Sequence, residues 1–247
     1  AADGRETLHH VSFQVRSGEI VGVAGVEGNG QFELVNAIIG LSPIAAGGLS
    51  VQGADLTHSD IRSRRRYISF VPQDRGKMGA SLPASILENA IMTHHILDSS
   101  FRRWGGLGLN YRRAGALTSQ IQRQFDVSME NPAAPFQSLS GGNQQKVILG
   151  RELLLEASLV LMDQPTRGLD VGSTEYVHRL LLDLRNRKKA VLLVSADLDE
   201  VFTVADRIIV MSRGQLVADL RTDETSREEI GYYMLGGKDT SHAQADA

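Results

Sequence analysis

A glycine-rich segment near the start of the chain has the residue types of a phosphate-binding loop. Gly25 and Gly30 are separated by four residues, between an apolar run and a segment with apolar residues at helical spacing. Glycines in a strand-to-helix turn let backbone N–H groups face anionic oxygens, and the helix N-terminus adds partial positive charge. A tight turn without a ligand explains this loop, taken alone, as well as a phosphate site does. The candidate loop residues are Gly25, Val26, Glu27, Gly28, Asn29, Gly30, Gln31 and Phe32.

The two residues after the second glycine depart from the usual phosphate-loop pattern, in which Lys and then Ser or Thr follow. Gln31 has no charge to place on the β- and γ-phosphates, and Phe32 has no hydroxyl for Mg²⁺. The loop is also not a G-x-G-x-x-G sequence, so a dinucleotide-binding fingerprint is not supported.

A second candidate site is the string Leu139, Ser140, Gly141, Gly142 and Asn143, which precedes an apolar helical segment. The Ser140 hydroxyl can cap that helix, and the two glycines allow an anion to approach the backbone closely. Ser-Gly-Gly is also a common cap and turn, but the five-residue string is rarer than a cap requires.

A third candidate is Asp163, which follows the apolar run 159–162. In doubly wound sheets, ligands bind at the carboxyl ends of the strands, and a carboxylate there suits Mg²⁺, usually through water. An aspartate that only caps the following turn at Pro165 is the alternative, and the isolated residue favours it slightly.

The elements that must position these residues alternate between strands and helices, which is typical of an α/β fold. A helix after the loop ends at Gly40, and another carries Tyr176, Leu180 and Leu184 on one stripe. Predicted single strands are 11–16, 20–24, 67–71, 159–162 and 191–194, and predicted hairpins are 47–56 and 207–220.

The segment 76–138 has a different character, because strand-like runs are absent from it. Apolar residues recur there at helical spacing, namely Ala114, Leu117, Ile121 and Phe125. We therefore predict a core over 1–75 and 139–237 with a helical subdomain inserted at 76–138. The polar tail 238–247 is predicted to be disordered.

Composition excludes several classes of protein. The chain of 247 residues has 26 Lys and Arg against 29 Asp and Glu, so bulk attraction to nucleic-acid phosphates is not expected. Zero cysteines exclude a disulfide scaffold and a thiolate metal site. No apolar run approaches the roughly 20 residues of a membrane span. The arginines at 62–66 and the pair His94-His95 are predicted to lie on solvated surfaces. The chain begins at Ala1 almost inside a strand, so we expect a longer parent chain.

Taken together, the order and spacing of the candidate sites resemble those of the ATP-binding cassette (ABC) ATPases over residues 11–237. The resemblance implies a P-loop core, with a parallel sheet and an antiparallel edge, and an inserted helical subdomain. It implies ATP and Mg²⁺ as cofactors, with Asp163 and Gln73 as weak metal ligands. The implied motifs are Walker A at 25–32, the Q-loop at Gln73, the signature at 139–143, Walker B at 159–163 and the D-loop at Asp170.

Two longer strings of residues resemble one particular branch of this family. S-G-G-N-Q-Q-K at 140–146 and Q-P-T-R-G-L-D-V-G at 164–172 are similar to the second cassette of importers with a tandem ATPase. Such importers carry simple sugars or nucleosides, and the glycine loop with Gln164 resembles the nucleoside branch more. The implied partners are the first cassette of the parent chain, transmembrane permease subunits and, indirectly, a solute-binding protein, with no nucleic acid. The implied location is the cytoplasmic face of the cell membrane.

Four positions depart from what hydrolysis in this family requires. The family uses a Lys, a Ser or Thr, a Glu after the Walker B aspartate and a switch His, where this chain has Gln31, Phe32, Gln164 and Ala196. Loss of the Lys weakens ATP binding by about ten- to a hundredfold. Loss of a general base removes on the order of 10²–10⁴ in rate. The chain's own site is therefore expected to be hydrolytically weak or inactive.

The signature, in contrast, is kept, apart from Asn143 in place of the Gln of many cassettes. The resulting hypothesis is that this chain completes the ATP site of a partner cassette, while its own site binds nucleotide weakly or not at all. A P-loop kinase or GTPase is a poor alternative, because it explains neither Gln31 and Phe32 nor the string 139–143. A soluble ABC protein outside transport and a purely structural pseudo-ATPase remain alternatives.

Overall fold

The computed structural model describes residues 7–103 and 108–237. The predicted tail 238–247 lies outside the described residues. The strands in chain order are β1 (Ile20–Ala24), β2 (Ser50–Val51), β3 (Ala54–Asp55), β4 (Ile68–Val71), β5 (Arg102–Arg103), β6 (Gly108–Leu109), β7 (Leu159–Asp163), β8 (Ala190–Val194), β9 (Arg207–Ser212) and β10 (Gln215–Arg221). The helices are α1 (Gln31–Ile39), α2 (Ile61–Arg64), α3 (Ile86–Ile91), α4 (His94–Leu97), α5 (Tyr111–Gln124), α6 (Gly141–Leu153), α7 (Val171–Asn186), α8 (Leu198–Val204) and α9 (Arg227–Met234).

Within the described residues, six strands form the central sheet in the order β10-β9-β1-β8-β7-β4. The strands β9, β1, β8, β7 and β4 are parallel, and β10 pairs antiparallel with β9 through a tight turn. The predicted α/β class with an antiparallel edge is therefore confirmed. The hairpin predicted at 47–56 is also present, as the separate pair β2-β3.

The central strands are buried on both faces, as parallel strands covered by helices must be. Alternate residues of β1 face opposite sides, so Ile20 packs into one core cluster and Val21 into the other. The cluster that contains Val21 also includes the buried side of α1, such as Leu34 and Ile38. Both the apolar run and the helix after the glycine loop are therefore explained by this two-sided burial.

The predicted strand over 11–16 is wrong, because the structure shows no strand there. Burial does alternate as predicted, and Val11, Phe13 and Val15 pack against a core cluster. The main-chain hydrogen bonds of a strand are missing, and the Gln14 carbonyl instead accepts a hydrogen bond from the Arg207 guanidinium. Alternation of apolar and polar residues therefore predicts that one face of a segment is buried, but it does not predict that the segment pairs with another strand.

The predicted stripe of α7 is shifted by one residue. Val177, Leu181 and Leu184 are buried, whereas Tyr176 and Leu180 are only partly buried against the same core. Of the three residues predicted to share a stripe, Leu184 is the one that is buried, because a stripe offset by one position follows nearly the same helical spacing.

In the segment 76–138 the described elements are mainly helical, and α3 and α5 pack together. Ala114, Leu117, Ile121 and Phe125 are buried as their spacing predicts. One difference is the short antiparallel pair β5-β6. The boundaries 76 and 138 stay a prediction, because the core cluster continues from this segment to the sheet.

The arginine run 62–66 is only partly the solvated surface that was predicted. Arg64 is buried and donates to the carbonyls of Ala37 and Ile38, at the C-terminal end of α1. Arg65 forms an ion pair with the buried Glu152. Charge runs can therefore hide structural residues, since a guanidinium can satisfy helix-end carbonyls.

The prediction of a solvated helix face at 94–95 is wrong for His94. Its side chain is buried and its Nε2 lies 2.9 Å from the Arg151 carbonyl oxygen. Burial, the dominant cause, lowers the pKa of His94 below its ordinary value. His94 is therefore a buried structural residue, whose neutral imidazole contacts the Arg151 carbonyl.

Candidate functional site

Four of the candidate segments lie at one edge of the sheet, where the parallel strands end. The glycine loop follows β1, Gln73 follows β4, Asp163 ends β7 and Ala196 follows β8. The β-strand register places Val194 beside both Val23 and Asp163. Asp163 and the start of the loop are therefore two strand spacings apart, about 10 Å.

The glycine loop turns the chain from β1 into α1 without a side-chain cap on the helix. Gly30 has φ 109°, a left-handed conformation that favours glycine, and Gly28 has φ 89°. Glu27 and Gly28 are exposed, and Val26 and Phe32 are exposed to 47% and 60%. The loop thus presents two apolar side chains beside its backbone.

The Gln31 side chain folds back over the loop that precedes it. Its Nε2 donates to the Val26 carbonyl at 3.2 Å. A Cβ placed on Gly25 would lie only 2.3 Å from that Nε2. The same Val26 carbonyl accepts from the Asn29 N–H at 3.1 Å, so two hydrogen bonds within the loop hold its turn.

Asn29 ties the loop to the turn between β9 and β10. Its Oδ1 accepts from the Arg213 N–H at 3.1 Å, and its carbonyl accepts from the Gly214 N–H at 2.9 Å. Asn29 therefore has a structural role that its place in a glycine loop did not suggest. The loop is held against the sheet whether or not a ligand binds.

Asp163 is buried, at 8% exposure, at the end of β7. Burial raises the pKa of its carboxyl group to about 6, and the nearby charge of Arg167 opposes this rise. Since burial penalises the charged carboxylate, this position is unfavourable for a lone anion and favourable beside a cation. The geometry is thus compatible with the predicted metal-ligand role of Asp163, which stays a prediction.

The other three residues at this edge offer little chemistry. Gln164 adopts φ 49°, and its N–H donates to the Val194 carbonyl at 2.8 Å. Gln73 is partly buried, and no described residue forms a hydrogen bond with its side chain. Ala196 is exposed and has no polar side chain. No ionisable side chain stands at any of these positions.

The signature string begins α6 in the way that the sequence predicted. Leu139 is partly buried, and the Ser140 hydroxyl caps the helix by accepting from the Asn143 N–H at 3.4 Å. The Asn143 amide donates to the same hydroxyl at 3.0 Å and accepts from the Ser128 N–H at 2.8 Å. In the described part of the chain, nothing accepts hydrogen bonds from the N–H groups of Gly141 and Gly142. These two donors are available at the positive end of a 13-residue helix.

The structure brings the signature string together with Asp170. The carboxylate of Asp170 caps α7 by accepting from the N–H and the hydroxyl of Ser173, at 2.9 and 2.8 Å. These hydrogen bonds hold the pKa of Asp170 below its ordinary value. A Cβ on Gly142 would lie 2.4 Å from the Ser173 hydroxyl and 3.7 Å from the Asp170 carboxylate. Glycine at 142 is what allows the two helix starts to meet.

Two residues near the signature string were not found from the sequence. Gln145 is buried on α6, and its amide donates to the Pro165 carbonyl at 2.9 Å, which links α6 to the segment after Asp163. Arg75 reaches from the segment after Gln73 to the start of α6. Neither had a spacing signal, because each contact joins segments that are distant in sequence.

Neither a metal-binding cluster nor a helix that could span a bilayer lies within residues 7–103 and 108–237. These residues hold no cluster of three or more His, Cys, Asp or Glu side chains that could bind a metal ion. Over the same ranges, every helix falls short of the length and hydropathy that a bilayer span requires.

Comparison with known proteins finds relatives among import ATPases. The chain is 40% identical over 229 residues to the nucleoside import ATP-binding protein NupA of Lactococcus lactis subsp. cremoris, covering 92% of this chain and 44% of that protein. It is 40% identical over 241 residues to the glucose import ATP-binding protein TsgD13 of Haloferax volcanii, covering 96% and 43%. The guanosine import ATP-binding protein NupO of Bacillus subtilis is 37% identical, with 98% and 47% covered. The chain thus spans less than half the length of these relatives.

Solved structures share the fold. The dimeric ATP-binding cassette MJ0796 bound to ADP and Pi superposes with a TM-score of 0.72 at 24% identity, over 87% of this chain and 90% of that one. The cbiO1 structure from Clostridium perfringens, part of the ABC transporter complex cbiONQ, gives a TM-score of 0.71 at 20% identity, over 90% and 85%. The family model for the ABC transporter matches residues 8–167. The chain therefore belongs to the ABC transporter family, as an ATPase domain with the P-loop fold of that family.

Proposed function

We propose that this chain is the second nucleotide-binding domain of an ABC importer and completes the ATP site of a partner cassette. In this arrangement the Ser140 hydroxyl and the N–H groups of Gly141 and Gly142 close onto the γ-phosphate of ATP held by the partner. The observation that carries the proposal is the contrast between a signature turn that keeps its serine and two glycines and a glycine loop that lacks the Lys and the Ser or Thr and holds the Gln31 amide inside its turn. Family membership supports ATP and Mg²⁺ as the cofactors.

The chain's own loop does not fit Mg²⁺-ATP as the family binds it. The Gln31 amide occupies the inside of the turn, and position 32 offers a phenyl ring where a hydroxyl would bind Mg²⁺. Asp163 and Gln73 stay available as oxygen donors, but no positive side chain follows the loop to hold the β- and γ-phosphates. Gln164 can orient a water molecule and cannot accept its proton at neutral pH. We therefore infer that the nucleotide site built on this chain's own glycine loop does not hydrolyse ATP.

The proposed transported solute is a nucleoside, with simple sugars as the other candidates. Relatives at 37–40% identity include import proteins for nucleosides, guanosine and glucose, so family-level similarity supports both classes. The proposed partners are a first cassette in the same parent chain, permease subunits and a solute-binding protein. We place the chain at the cytoplasmic face of the membrane, with the helical segment 76–138 facing the permease.

The proposal is tested by assaying ATPase in the purified importer that contains this chain. We expect Ser140→Ala to lower ATPase by about ten- to a hundredfold, because a hydrogen bond to a charged phosphate is lost. We expect the chain alone to show negligible ATPase and weak binding of labelled ATP. ATPase of the isolated chain equal to that of the importer would contradict the division of roles. Full importer activity with Ser140→Ala would favour a structural pseudo-ATPase.

A further inference from the structure

The guanidinium of Arg75 lies close to the backbone of two glycines, one of which begins α6. Arg75 begins the π-helical turn Arg75–Gly79, and its Nη1 donates to the Arg167 carbonyl at 3.2 Å. Its Nη2 lies 3.8 Å from the position of a Cβ on Gly141 and 3.7 Å from that on Gly168. Since both neighbours are glycines, no side chain separates the guanidinium from the helix start.

No carboxylate among the described residues forms an ion pair with Arg75. The adjacent Asp74 instead accepts hydrogen bonds from two N–H groups of its own turn, and its other oxygen faces Lys77 at 3.9 Å. The carboxylate of Asp170 is engaged on both oxygens by Ser173. An arginine beside the positive end of a helix is unfavourable without a counter-charge, and it becomes favourable when an anion binds between them.

We propose that Arg75 is a further phosphate-binding residue, which contacts the γ-phosphate of the nucleoside triphosphate held by the partner cassette. This inference rests on the proposed function, because Ser140 and the free N–H groups of Gly141 and Gly142 supply the rest of the anion site. A guanidinium fork suits phosphate oxygens better than a point charge does. A contact to the γ-phosphate favours triphosphate over diphosphate, so Arg75 contributes to nucleotide discrimination in the partner's site.

The test uses the purified importer and compares its affinity for ATP with its affinity for ADP. Arg75→Ala is expected to lower ATP affinity by about ten- to a hundredfold, since a charged contact is lost, and to leave ADP affinity unchanged. Arg75→Lys is expected to keep part of the preference for ATP over ADP, because lysine keeps the positive charge but lacks the two-pronged guanidinium. Lys77→Ala is the matched control, as Lys77 lies in the same turn with a side chain 87% exposed. If Arg75→Ala prevents assembly, Arg75→Gln carries the same expectation.

The outcomes separate the two levels of the proposal. Equal losses of ATP and ADP affinity, or an Arg75→Ala importer that matches Lys77→Ala, would overturn the role of Arg75. Ser140→Ala is measured in parallel. If Ser140→Ala reduces the preference for ATP and Arg75→Ala does not, only the further inference fails. If Ser140→Ala leaves that preference unchanged, the proposed function itself fails.

Discussion

Two turns in this molecule have the same construction and differ in what fills them. The glycine loop 25–30 leads into α1, and the signature turn 140–142 leads into α6; both place glycine backbone at a helix N-terminus. In the first, the Gln31 side chain closes the turn by donating to the Val26 carbonyl. In the second, the capping Ser140 leaves the N–H groups of its two glycines free. The helix-end N–H groups are unpaired in both turns, because no described residue accepts from those of Gln31 and Phe32 either, so the two turns differ in the side chains that they offer to a phosphate or to Mg²⁺.

The largest expected effect on ATPase is that of Gly142→Ala, which adds a methyl group to the signature turn; Gly28→Ala adds one to the glycine loop for comparison. Gly142→Ala would place its Cβ 2.4 Å from the Ser173 hydroxyl, so Ser173 must move and weaken its bond to Asp170. We expect importer ATPase to fall by about 100-fold, as when one preorganised donor is lost from an active site. Gly28→Ala meets nothing within 4 Å, but the φ of 89° at Gly28 strains any other residue there, so we expect a loss of stability with ATPase unchanged. Steady-state ATPase of both variants measures this, and equal losses would remove the contrast between the turns.

The second prediction concerns Asp163, at the same sheet edge as the glycine loop. Its pKa of about 6 in the folded chain exceeds the ordinary 3.8, so the folded state binds the proton more tightly than the unfolded state does. Stability therefore falls as pH rises from about 4 to about 6, and ionised Asp163 costs about 2–3 kcal/mol above that window.

Asp163→Asn is expected to recover this stability near about pH 7.5 and to change little near about pH 4. Denaturant unfolding at the two pH values, without nucleotide or Mg²⁺, measures the difference. A destabilising effect of Asp163→Asn at the higher pH would show that the buried carboxylate has a favourable partner.

The third prediction concerns the two residues of the glycine loop that depart from the family pattern, Gln31 and Phe32. Gln31→Lys combined with Phe32→Thr supplies the missing cation and hydroxyl, so we expect ATP affinity of the isolated chain to rise by about ten- to a hundredfold. Equilibrium binding of labelled ATP with Mg²⁺ measures the gain. Gln31→Lys alone is the control for the hydroxyl. No gain from the double variant would mean that more than these two side chains closes the loop.

The smallest expected effect is that of Gln31→Ala. The variant loses the hydrogen bond to the Val26 carbonyl, and we expect the free energy of unfolding to fall by about 1 kcal/mol. Importer ATPase should stay at the level of the unchanged protein, since this turn is idle. A large loss of ATPase would show that the glycine loop takes part in hydrolysis.

The sequence predicted best where local chemistry decides the structure. The apolar run 20–24 is a strand within those bounds, and the helix after the loop ends at Gly40, which adopts φ 90°. The start of α6 at the Ser140 cap was predicted for the same reason, because caps and glycine turns depend on neighbouring residues.

Features that depend on distant partners were missed. The alternation at 11–16 is real, but its carbonyl at Gln14 binds the Arg207 side chain in place of a strand. Arg64 could not be told from the other arginines of the run 62–66, since its carbonyl partners Ala37 and Ile38 lie on α1. The contact of the Gln31 amide with the Val26 carbonyl is local, and it was missed because the sequence does not tell where a glutamine side chain points, although the missing Lys indicated a weak site.

The number of ATP molecules bound by the assembled importer tests the central claim most directly. We expect one tightly bound ATP per pair of cassettes, with an affinity that falls in Ser140→Ala and is unchanged in Gln31→Ala. Two equivalent tight sites, or a loss of the tight site in Gln31→Ala but not in Ser140→Ala, would contradict it.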